Sequence, residues 1–486
     1  MASIKRLAEN TGAMMIARGL QPFLNFLLVV FISRWIGVDG LGEYTTIFSL
    51  VFVFQLVCSF GLRMLLTREV AKNPECTNKY LSNSLILGLF ISCLSAAVMV
   101  MSVFILRYNE SITMNAAILS LSLIPSALEE IFIGILAGHE RLKIVGLVTV
   151  IEEAIKVSLS LLFLYLGHGV MAVVIIYVIS RFVSAALLYY FIHRFIMTLK
   201  FEFEFSFALN LLKQTKIFAF SSVLFALFLQ IDVLILSKMG SIEDVGIYGA
   251  SFRILRFLIM MVQSFFIAFY PILSRLYKED NHKFEMACYS SGKYFLIVTI
   301  PLALLTSMIF HKVVVLFFGL DFVPSVPVLQ IIVWSIIPFS ISKIFSFALL
   351  AANRQKADMW ANFYSTFIKA VLLIVLVYFW GYIGISFGTL SGTCVMVAVQ
   401  LILIKPILPI TSPQIYRLLV KIGIASVSML ISILLFRGIN MYLAFIMSVS
   451  VYLFLLFKLN IFSGRDKYFA QMLLKRHADN SVAPSS

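Results

Sequence analysis

The chain has 486 residues, of which 61% are hydrophobic and only 13% charged, and its mean hydropathy is +1.02. Ordinary soluble domains carry about a quarter charged residues, so composition excludes a soluble enzyme or a soluble binding domain. The net charge of +15 would point to nucleic acid in a soluble protein; here the basic residues sit in short segments between apolar runs, read as topology signals, and no nucleic-acid partner is expected.

A helix needs roughly 20 apolar residues to cross the hydrocarbon core. In chain order the runs that qualify are 14–36, 44–64, 80–106, 114–137, 145–166, 170–192, 217–239, 247–272, 294–316, 326–352, 359–380, 382–404, 420–436 and 441–457. The expected fold is therefore an all-α integral membrane protein with about 14 transmembrane helices. Junctions as short as Gly167-His168-Gly169 and Trp380-Gly381-Tyr382 make the flanking spans antiparallel neighbours. Lys5 and Arg6 precede a first run too long for a signal-peptide core and without a small-residue cleavage site, so it reads as a signal anchor.

Lys and Arg set the orientation. With the N-terminus in the cytoplasm, the inner segments collect most of the 38 basic residues, among them Arg63, Arg68, Lys72, Arg141, Lys143, Lys213, Lys216, Arg275, Lys278, Arg354, Lys356 and Lys458. Outer turns such as Ser241-Ile242-Glu243-Asp244 are short and neutral or acidic. An even number of spans returns the C-terminus to the cytoplasm. The expected location is a bacterial cytoplasmic (inner) membrane, crossed many times.

An internal repeat joins Ser33-Arg34-Trp35-Ile36-Gly37-Val38-Asp39-Gly40-Leu41-Gly42-Glu43-Tyr44 to Ser237-Lys238-Met239-Gly240-Ser241-Ile242-Glu243-Asp244-Val245-Gly246-Ile247-Tyr248. Ser, the basic residue, an aliphatic, the acid, Gly and Tyr coincide at the one offset that carries Ser33 onto Ser237, and Phe48 falls on Phe252. That offset holds six spans, so the halves share one orientation, related by an axis along the membrane normal. The expected organisation is a six-helix bundle over 1–200, a second over 201–408, and two extra helices with a tail over 409–486.

Enzyme motifs are absent: there is no phosphate-binding G-x-x-x-x-G-K-[ST], no HExxH and no dinucleotide fingerprint. The longest segments outside the spans are too small for a catalytic domain, so no enzyme and no cofactor is expected. Five cysteines (Cys58, Cys76, Cys93, Cys288, Cys394) without a CxxC give no expectation of a disulfide or a metal site.

Charges inside apolar runs are the informative residues, because each is expensive in hydrocarbon and faces a cavity or a partner. The cations are Arg18, Lys156, Arg181, Arg253, Arg256, Lys343 and Lys369; the acids are Glu129, Glu130, Glu152, Glu153 and Asp232. Arg253 and Arg256 share one helix face, suited to bidentate capture of phosphate; pairing with Asp232 or snorkelling is the competing explanation. Pro22 frees the carbonyl of Arg18 from the helix ladder. Arg18, Arg253, Arg256, Lys343 and Lys369 are thus the candidate contacts for an anionic substrate, a diphosphate or acidic sugar. Glu152 and Glu153 face Lys156 at i+4 and i+3, which favours a salt bridge within the helix. Glu129 and Glu130 have no such partner. Glu129, Glu130, Asp232, Glu152 and Glu153 are candidates for coupling to H⁺ or Na⁺. Gly384, Gly388 and Gly392 form a small-residue face for helix packing.

Leu229-Gln230-Ile231-Asp232-Val233-Leu234-Ile235-Leu236-Ser237-Lys238, followed by Gly246-Ile247-Tyr248-Gly249-Ala250-Ser251-Phe252-Arg253, resembles the span 7–8 signature of polysaccharide-exporting flippases. Arg34-Trp35-Ile36-Gly37 with Gly42-Glu43-Tyr44 resembles the end of their first span. These proteins belong to the multidrug/oligosaccharidyl-lipid/polysaccharide (MOP) exporter superfamily, and the resemblance over nearly the whole chain is to the Wzx O-antigen flippases. It implies translocation of undecaprenyl-diphosphate-linked oligosaccharide from the cytoplasmic to the periplasmic leaflet by alternating access, coupled to an ion. A polysaccharide polymerase and a chain-length regulator are implied as partners, and O-antigen or lipopolysaccharide biosynthesis as the setting. In the related lipid II flippases an Arg in a Tyr-x-x-x-x-Arg context contacts the diphosphate; Tyr248 to Arg253 matches that spacing, and Arg18 matches by place alone. A cation-coupled drug exporter of the same superfamily is the alternative, opposed by the excess of intramembrane Lys and Arg. A membrane polymerase or acyltransferase is a further one, opposed by the lack of a sizeable outer loop.

Overall fold

The computed structural model describes the backbone over 2–408, 412–436 and 441–461, and within these the side chains of all but 2–18, 217–218, 268, 412–416 and 441–443. Among the described residues every regular element is a helix. Ten segments are long and apolar enough to cross a membrane, and two of them, Gly19–Lys72 and Gln355–Ile404, are of double length. At 1.5 Å per residue, 50 residues would run about 75 Å, far beyond a core of about 30 Å. Each must therefore be two spans. The first break is at Gly37 in α1 (Ala2–Ser59), where φ is 81°; the second is at Gly381 in α13 (Gln355–Ile404), where φ is 53°. Both lie in the positive-φ region that only glycine enters cheaply. Past Gly381 the two arms lie side by side. A Cβ on Gly384 would sit 2.0 Å from the carbonyl oxygen of Leu376, and one on Gly388 2.4 Å from Leu373.

The remaining helices follow the expected runs. They are α2 (Leu62–Lys72), α3 (Thr77–Ile105), α4 (Glu110–Ser120), α5 (Leu123–Gly138), α6 (Leu142–Tyr165), α7 (Val170–Phe195), α8 (Phe205–Met239), α9 (Ile242–Glu279) and α10 (Asn281–Phe317). After them come α11 (Ser325–Ile332), α12 (Ile336–Ala351), α14 (Ser412–Phe436) and α15 (Met441–Lys458). With α6, whose charges keep it from reading as purely apolar, and the short α15, each of the fourteen runs finds a helix. Two spans are interrupted: α4 gives way to α5 at Leu121–Ser122, and α11 to α12 through a 3-10 turn at Val333–Ser335. They are the fourth span and the tenth, equivalent positions in the repeat. Pro125 lies in the first turn of α5, where its missing N–H removes no helical bond.

The chain forms two compact units. One contains Met1–Ile254, Lys312–Val328 and Thr366–Thr389; the other contains Leu255–His311, Leu329–Ser365 and Leu390–Ser486. The first has a core of Leu66, Leu81, Ile131, Ile135, Leu136 and Ile192. In the second, Ile297, Ile422, Met429, Tyr452 and Leu456 pack together, and the Tyr452 hydroxyl donates to the Ile297 carbonyl at 2.8 Å. Large apolar side chains stand exposed along α3 (Phe90, Leu94, Met101, Phe104) and α13 (Phe367, Ile374, Tyr378), a surface too apolar for water and suited to lipid.

Within the first unit the two repeats touch reciprocally. A Cβ on Gly42 would fall 2.0 Å from the carbonyl oxygen of Ile242, and one on Gly246 would fall 2.1 Å from that of Val38. The offset that carries Gly42 to Gly246 also carries Val38 to Ile242, so residue i meets j and j meets i, as across a two-fold axis. The repeat's basic residues exchange in the same way. Arg34 donates to the carbonyls of Leu316 and Phe317 at the end of α10. Lys238 donates at 2.6 Å to the carbonyl of Leu106 at the end of α3. Each cation thereby caps a helix C-terminus of the other repeat, where the unpaired carbonyls and the dipole favour positive charge.

Candidate functional site

Among the described residues, two clusters of buried charge lie inside the first unit. The first joins α8, α9 and α13. Asp232 and Lys369, 1% and 2% exposed, form an ion pair of 2.8 Å to Oδ1 and 2.9 Å to Oδ2. The Lys369 ammonium also donates to the Phe228 carbonyl at 2.8 Å and lies over the Phe228 ring. The Tyr248 hydroxyl donates to Asp232 Oδ2 at 3.2 Å and stands 3.2 Å from Thr389 Oγ1. Asp232, expected as an ion-coupling residue or as a partner of Arg253 and Arg256, and Lys369, expected as a substrate contact, are partners of each other. In a medium without water such a pair persists because either charge alone would be very costly.

The second cluster joins α1, α5, α6 and α7. Arg181 Nη1 is 2.6 Å from Glu129 Oε2 and 3.4 Å from Glu152 Oε1. The same guanidinium donates through Nε and Nη2 to the Tyr177 hydroxyl one turn earlier, at 3.2 and 3.1 Å. Glu153 and Lys156 pair at 2.6 Å along α6, as their spacing predicts. Gln21 donates to Glu153 Oε1 at 2.9 Å and Asn25 to Oε2 at 3.1 Å, while Lys156 donates to Asn25 Oδ1 at 3.2 Å. Lys156 also sits over the Tyr177 ring, so Tyr177 touches both parts of the cluster. Neighbouring Glu152 and Glu153 therefore have different partners: Glu153 keeps the lysine on its own helix and Glu152 turns to α7. Glu129 and Glu130, without a partner on their own helix, find them on others; Glu130 meets Arg63 at 3.6 Å near the surface.

The remaining cationic candidates fall in both units. Lys343, 7% exposed, lies in the second unit over the Phe339 ring, under the influence of Asp358. Asp358 in turn accepts from Asn362 at 3.2 Å. Arg253 is half-buried in the first unit with its guanidinium 5.4 Å from the centre of the Tyr44 ring. Arg256 is half-buried and engaged. The side chain of Arg18 lies outside the described residues. Outside the spans, the extended segment after α7 is bound to the start of α3. Lys200 exchanges backbone hydrogen bonds with Asn78, Glu202 and Glu204 do so with Asn83, and Lys79 pairs with Glu204 at 2.5 Å.

The sequence profile of the polysaccharide biosynthesis protein family matches residues 7–277, more than half of the chain. The chain belongs to that family. The profile of the MatE family matches residues 218–375. The "Probable low-salt glycan biosynthesis flippase Agl15" of Haloferax volcanii is 22% identical over 385 residues, covering 79% of this chain and 80% of its own length. Among solved structures, the lipid II flippase MurJ in an inward closed conformation superposes with a TM-score of 0.75 at 17% identity, over 91% of this chain and 97% of its own. An inward-facing multidrug resistance MATE family transporter of the MOP superfamily superposes at 0.68 and 16% identity, over 80% and 96%. A MOP superfamily transporter from Pyrococcus furiosus, described as having a binding pocket of reverse polarity, superposes at 0.60 and 17% identity. The fold of this polysaccharide biosynthesis family member is thus that of the MOP superfamily.

The buried charges stand out in the sequence, but the neutral groups that organise them, Gln21, Asn25, Tyr177, Tyr248 and Thr389, do not. Spacing carried part of the signal: Gln21 and Asn25 stand at i,i+4 around Pro22, and Tyr177 and Arg181 at i,i+4 on α7. Arg181 stands in the sequence as an intramembrane charge with no partner in sight, yet it is the residue that two carboxylates share.

Proposed function

We propose that this protein is a flippase that moves undecaprenyl-diphosphate-linked oligosaccharide, an O-antigen or similar repeat unit, from the cytoplasmic to the periplasmic leaflet by alternating access. The observation that carries this reading is the polysaccharide biosynthesis family match over 7–277 together with a MurJ-like fold over 91% of the chain. The two repeats, 1–200 and 201–408, are the halves of the duplication that supports alternating access, with 409–486 an addition to them. A bacterial inner membrane with both termini in the cytoplasm is the setting, a polymerase and a chain-length regulator act beside it, and H⁺ or Na⁺ drives the cycle.

Within this reading Arg253 is the leading contact for the diphosphate. It is half-buried, follows Tyr248 at the flippase spacing and lies across from Tyr44, the repeat equivalent of Tyr248. Arg18, Arg256 and Lys343 are further candidates. Lys369 is the weakest, because Asp232 and the Phe228 carbonyl already occupy its donors. Deletion of the protein in its host is expected to leave undecaprenyl-linked repeat units at the inner leaflet and to abolish surface polysaccharide; Arg253→Ala is expected to reproduce most of that loss. Undiminished surface polysaccharide in Arg253→Ala would remove the leading site, and undiminished polysaccharide in the deletion would remove the function.

The MatE match over 218–375 favours one second reading, a cation-coupled drug exporter. It predicts that the deletion sensitises cells to cationic dyes and leaves polysaccharide intact.

A further inference from the structure

Among the described residues, the carboxylates buried in the first unit are matched with cations one to one, except in one place. Asp232 has Lys369 at 2.8 Å and Glu153 has Lys156 at 2.6 Å. At the surface Glu130 has Arg63. Glu129 and Glu152, 4% and 6% exposed, have only Arg181 between them, 2.6 Å from one and 3.4 Å from the other. The cluster of α5, α6 and α7 therefore holds three carboxylates, Glu129, Glu152 and Glu153, against two cations, Arg181 and Lys156. Glu129 Oε1 and Glu152 Oε1 are both buried without a hydrogen-bond partner, as Asp232 Oδ1 also is; what sets this cluster apart is its charge count, with Glu152 Oε1 3.4 Å from the same Arg181 Nη1 that Glu129 engages at 2.6 Å.

The other groups facing the pair do not supply the missing positive charge. From α7 come Tyr177, which accepts from Arg181, and the Ser184 hydroxyl beside Glu129. From α1 come the neutral Gln21 and Asn25, both directed to Glu153. From α2 comes Arg63, taken by Glu130. Arg18, one turn before Gln21, has its side chain outside the described residues and enters through the experiment below. Two carboxylates confined to one site without water cannot both stay ionised for a single counter-ion; one takes up a proton.

We propose that Glu129 and Glu152 share one bound proton beside Arg181, and that this is the proton exchanged during transport; the second clause rests on the flippase reading. Occupancy by a proton rather than Na⁺ follows from the guanidinium. A metal ion would need several oxygen ligands within reach of both glutamates, and it would then lie against Arg181, a like charge. A proton needs only a carboxyl oxygen to carry it, and the site offers two carboxylates around one guanidinium nitrogen, 2.6 and 3.4 Å from Arg181 Nη1. The Asp232–Lys369 pair is matched within itself and calls for no bound cation.

The test is infrared spectroscopy of the purified full-length protein in lipid bilayers, reading the carbonyl stretch of protonated carboxyl groups in difference spectra across pH. At neutral pH the wild type is expected to show a band that Glu129→Gln and Glu152→Gln each remove, because the remaining carboxylate is then matched by Arg181. Glu130→Gln and Asp232→Asn are expected to leave it. Arg181→Gln is expected to double it, since both carboxylates then need protons. Thermal unfolding of each variant, with Glu152→Asp as a conservative companion, separates loss of the band from loss of the fold.

A band unchanged by both Gln variants overturns the proposal. So does a band missing from the wild type and gained in Arg18→Gln, which would give the third positive charge to Arg18. A band suppressed by sodium chloride but not by choline chloride would reassign the site to a metal cation. Surface polysaccharide is the separate readout of the second clause. Glu129→Gln that lacks the band yet sustains full polysaccharide would mean a proton bound but not exchanged. A deletion without a polysaccharide phenotype would sink the flippase reading and leave the proton site standing.

Discussion

The charge buried around Asp232 is arranged differently from that around Arg181. On α8, α9 and α13 one carboxylate meets one ammonium, the Phe228 carbonyl accepts from the same ammonium, and the Tyr248 hydroxyl, beside Thr389, donates to the carboxylate. On α5, α6 and α7 one guanidinium serves two carboxylates while a lysine takes the third. Both clusters lie in the same compact unit, so environment alone does not separate them. The difference is stoichiometry. A matched pair holds helices together and asks for nothing more, whereas an unmatched set leaves one negative charge to be neutralised.

The largest expected effect breaks the matched pair. Asp232→Leu or Lys369→Met leaves one uncompensated charge in the interior and is expected to cost about 3–5 kcal/mol of stability. Removing both charges together, as Asp232→Leu with Lys369→Met, is expected to be neutral or stabilising by about 1–4 kcal/mol relative to wild type. Denaturant unfolding of the protein in detergent, run as a double-mutant cycle, measures both. Additive losses would mean that the pair is not the unit it is taken for here.

The second test asks whether the repeats, unlike in their charges, are alike in backbone. Gly42→Ala and Gly246→Ala each push a methyl group onto the opposite repeat's carbonyl, at 2.0 and 2.1 Å. Overpacking of this kind costs about 1–3 kcal/mol, and the two losses are expected to be equal within experimental error. A large loss at one and none at the other would show that only one side of the reciprocal contact matters. Arg34→Gln and Lys238→Gln, each removing a cap from a helix of the other repeat, are expected to cost about 0.3–1 kcal/mol apiece, read in the same unfolding assay.

Much of this arrangement was legible in the sequence. Run length marked the spans, and Gly37 and Gly381 fall at the turns inside what the backbone renders as single long helices. The repeat was visible because both copies must place a small residue where two backbones nearly touch, at Gly42 and Gly246. Intramembrane charges announced themselves as outliers. Their partners did not, because pairing depends on which faces of distant helices meet. Glu152 and Glu153 are adjacent in sequence and point to different partners, and Lys369 finds Asp232 across more than a hundred residues. Spacing could identify the Glu153–Lys156 pair, which lies on one helix; it could not assign Arg181 to Glu129, 52 residues earlier.

The smallest effect lies outside the spans, where an ion pair is matched but exposed. Lys79 holds the Glu204 carboxyl below its ordinary range by hydrogen bonding, and Glu204 in turn raises the Lys79 ammonium. A depressed carboxyl contributes above its unfolded value and is lost as pH falls through the lower, folded one. A raised ammonium contributes below its unfolded value and is lost as pH rises through the higher, folded one. The contact therefore persists across neutral pH and weakens only in acid below the ordinary glutamate range, or in strong alkali. Exposed pairs contribute little, so the segment after α7 should stay bound mainly through Asn78 and Asn83, which accept from the Lys200 and Glu204 amides at 2.9 Å. Hydrogen exchange of those two amides, followed by mass spectrometry, is expected to slow or quicken only slightly in Lys79→Gln and to accelerate strongly in Asn78→Ala and Asn83→Ala. Strong acceleration in Lys79→Gln at neutral pH would reverse that ranking and make the exposed ion pair, not the amide side chains, the fastening of the segment between the repeats.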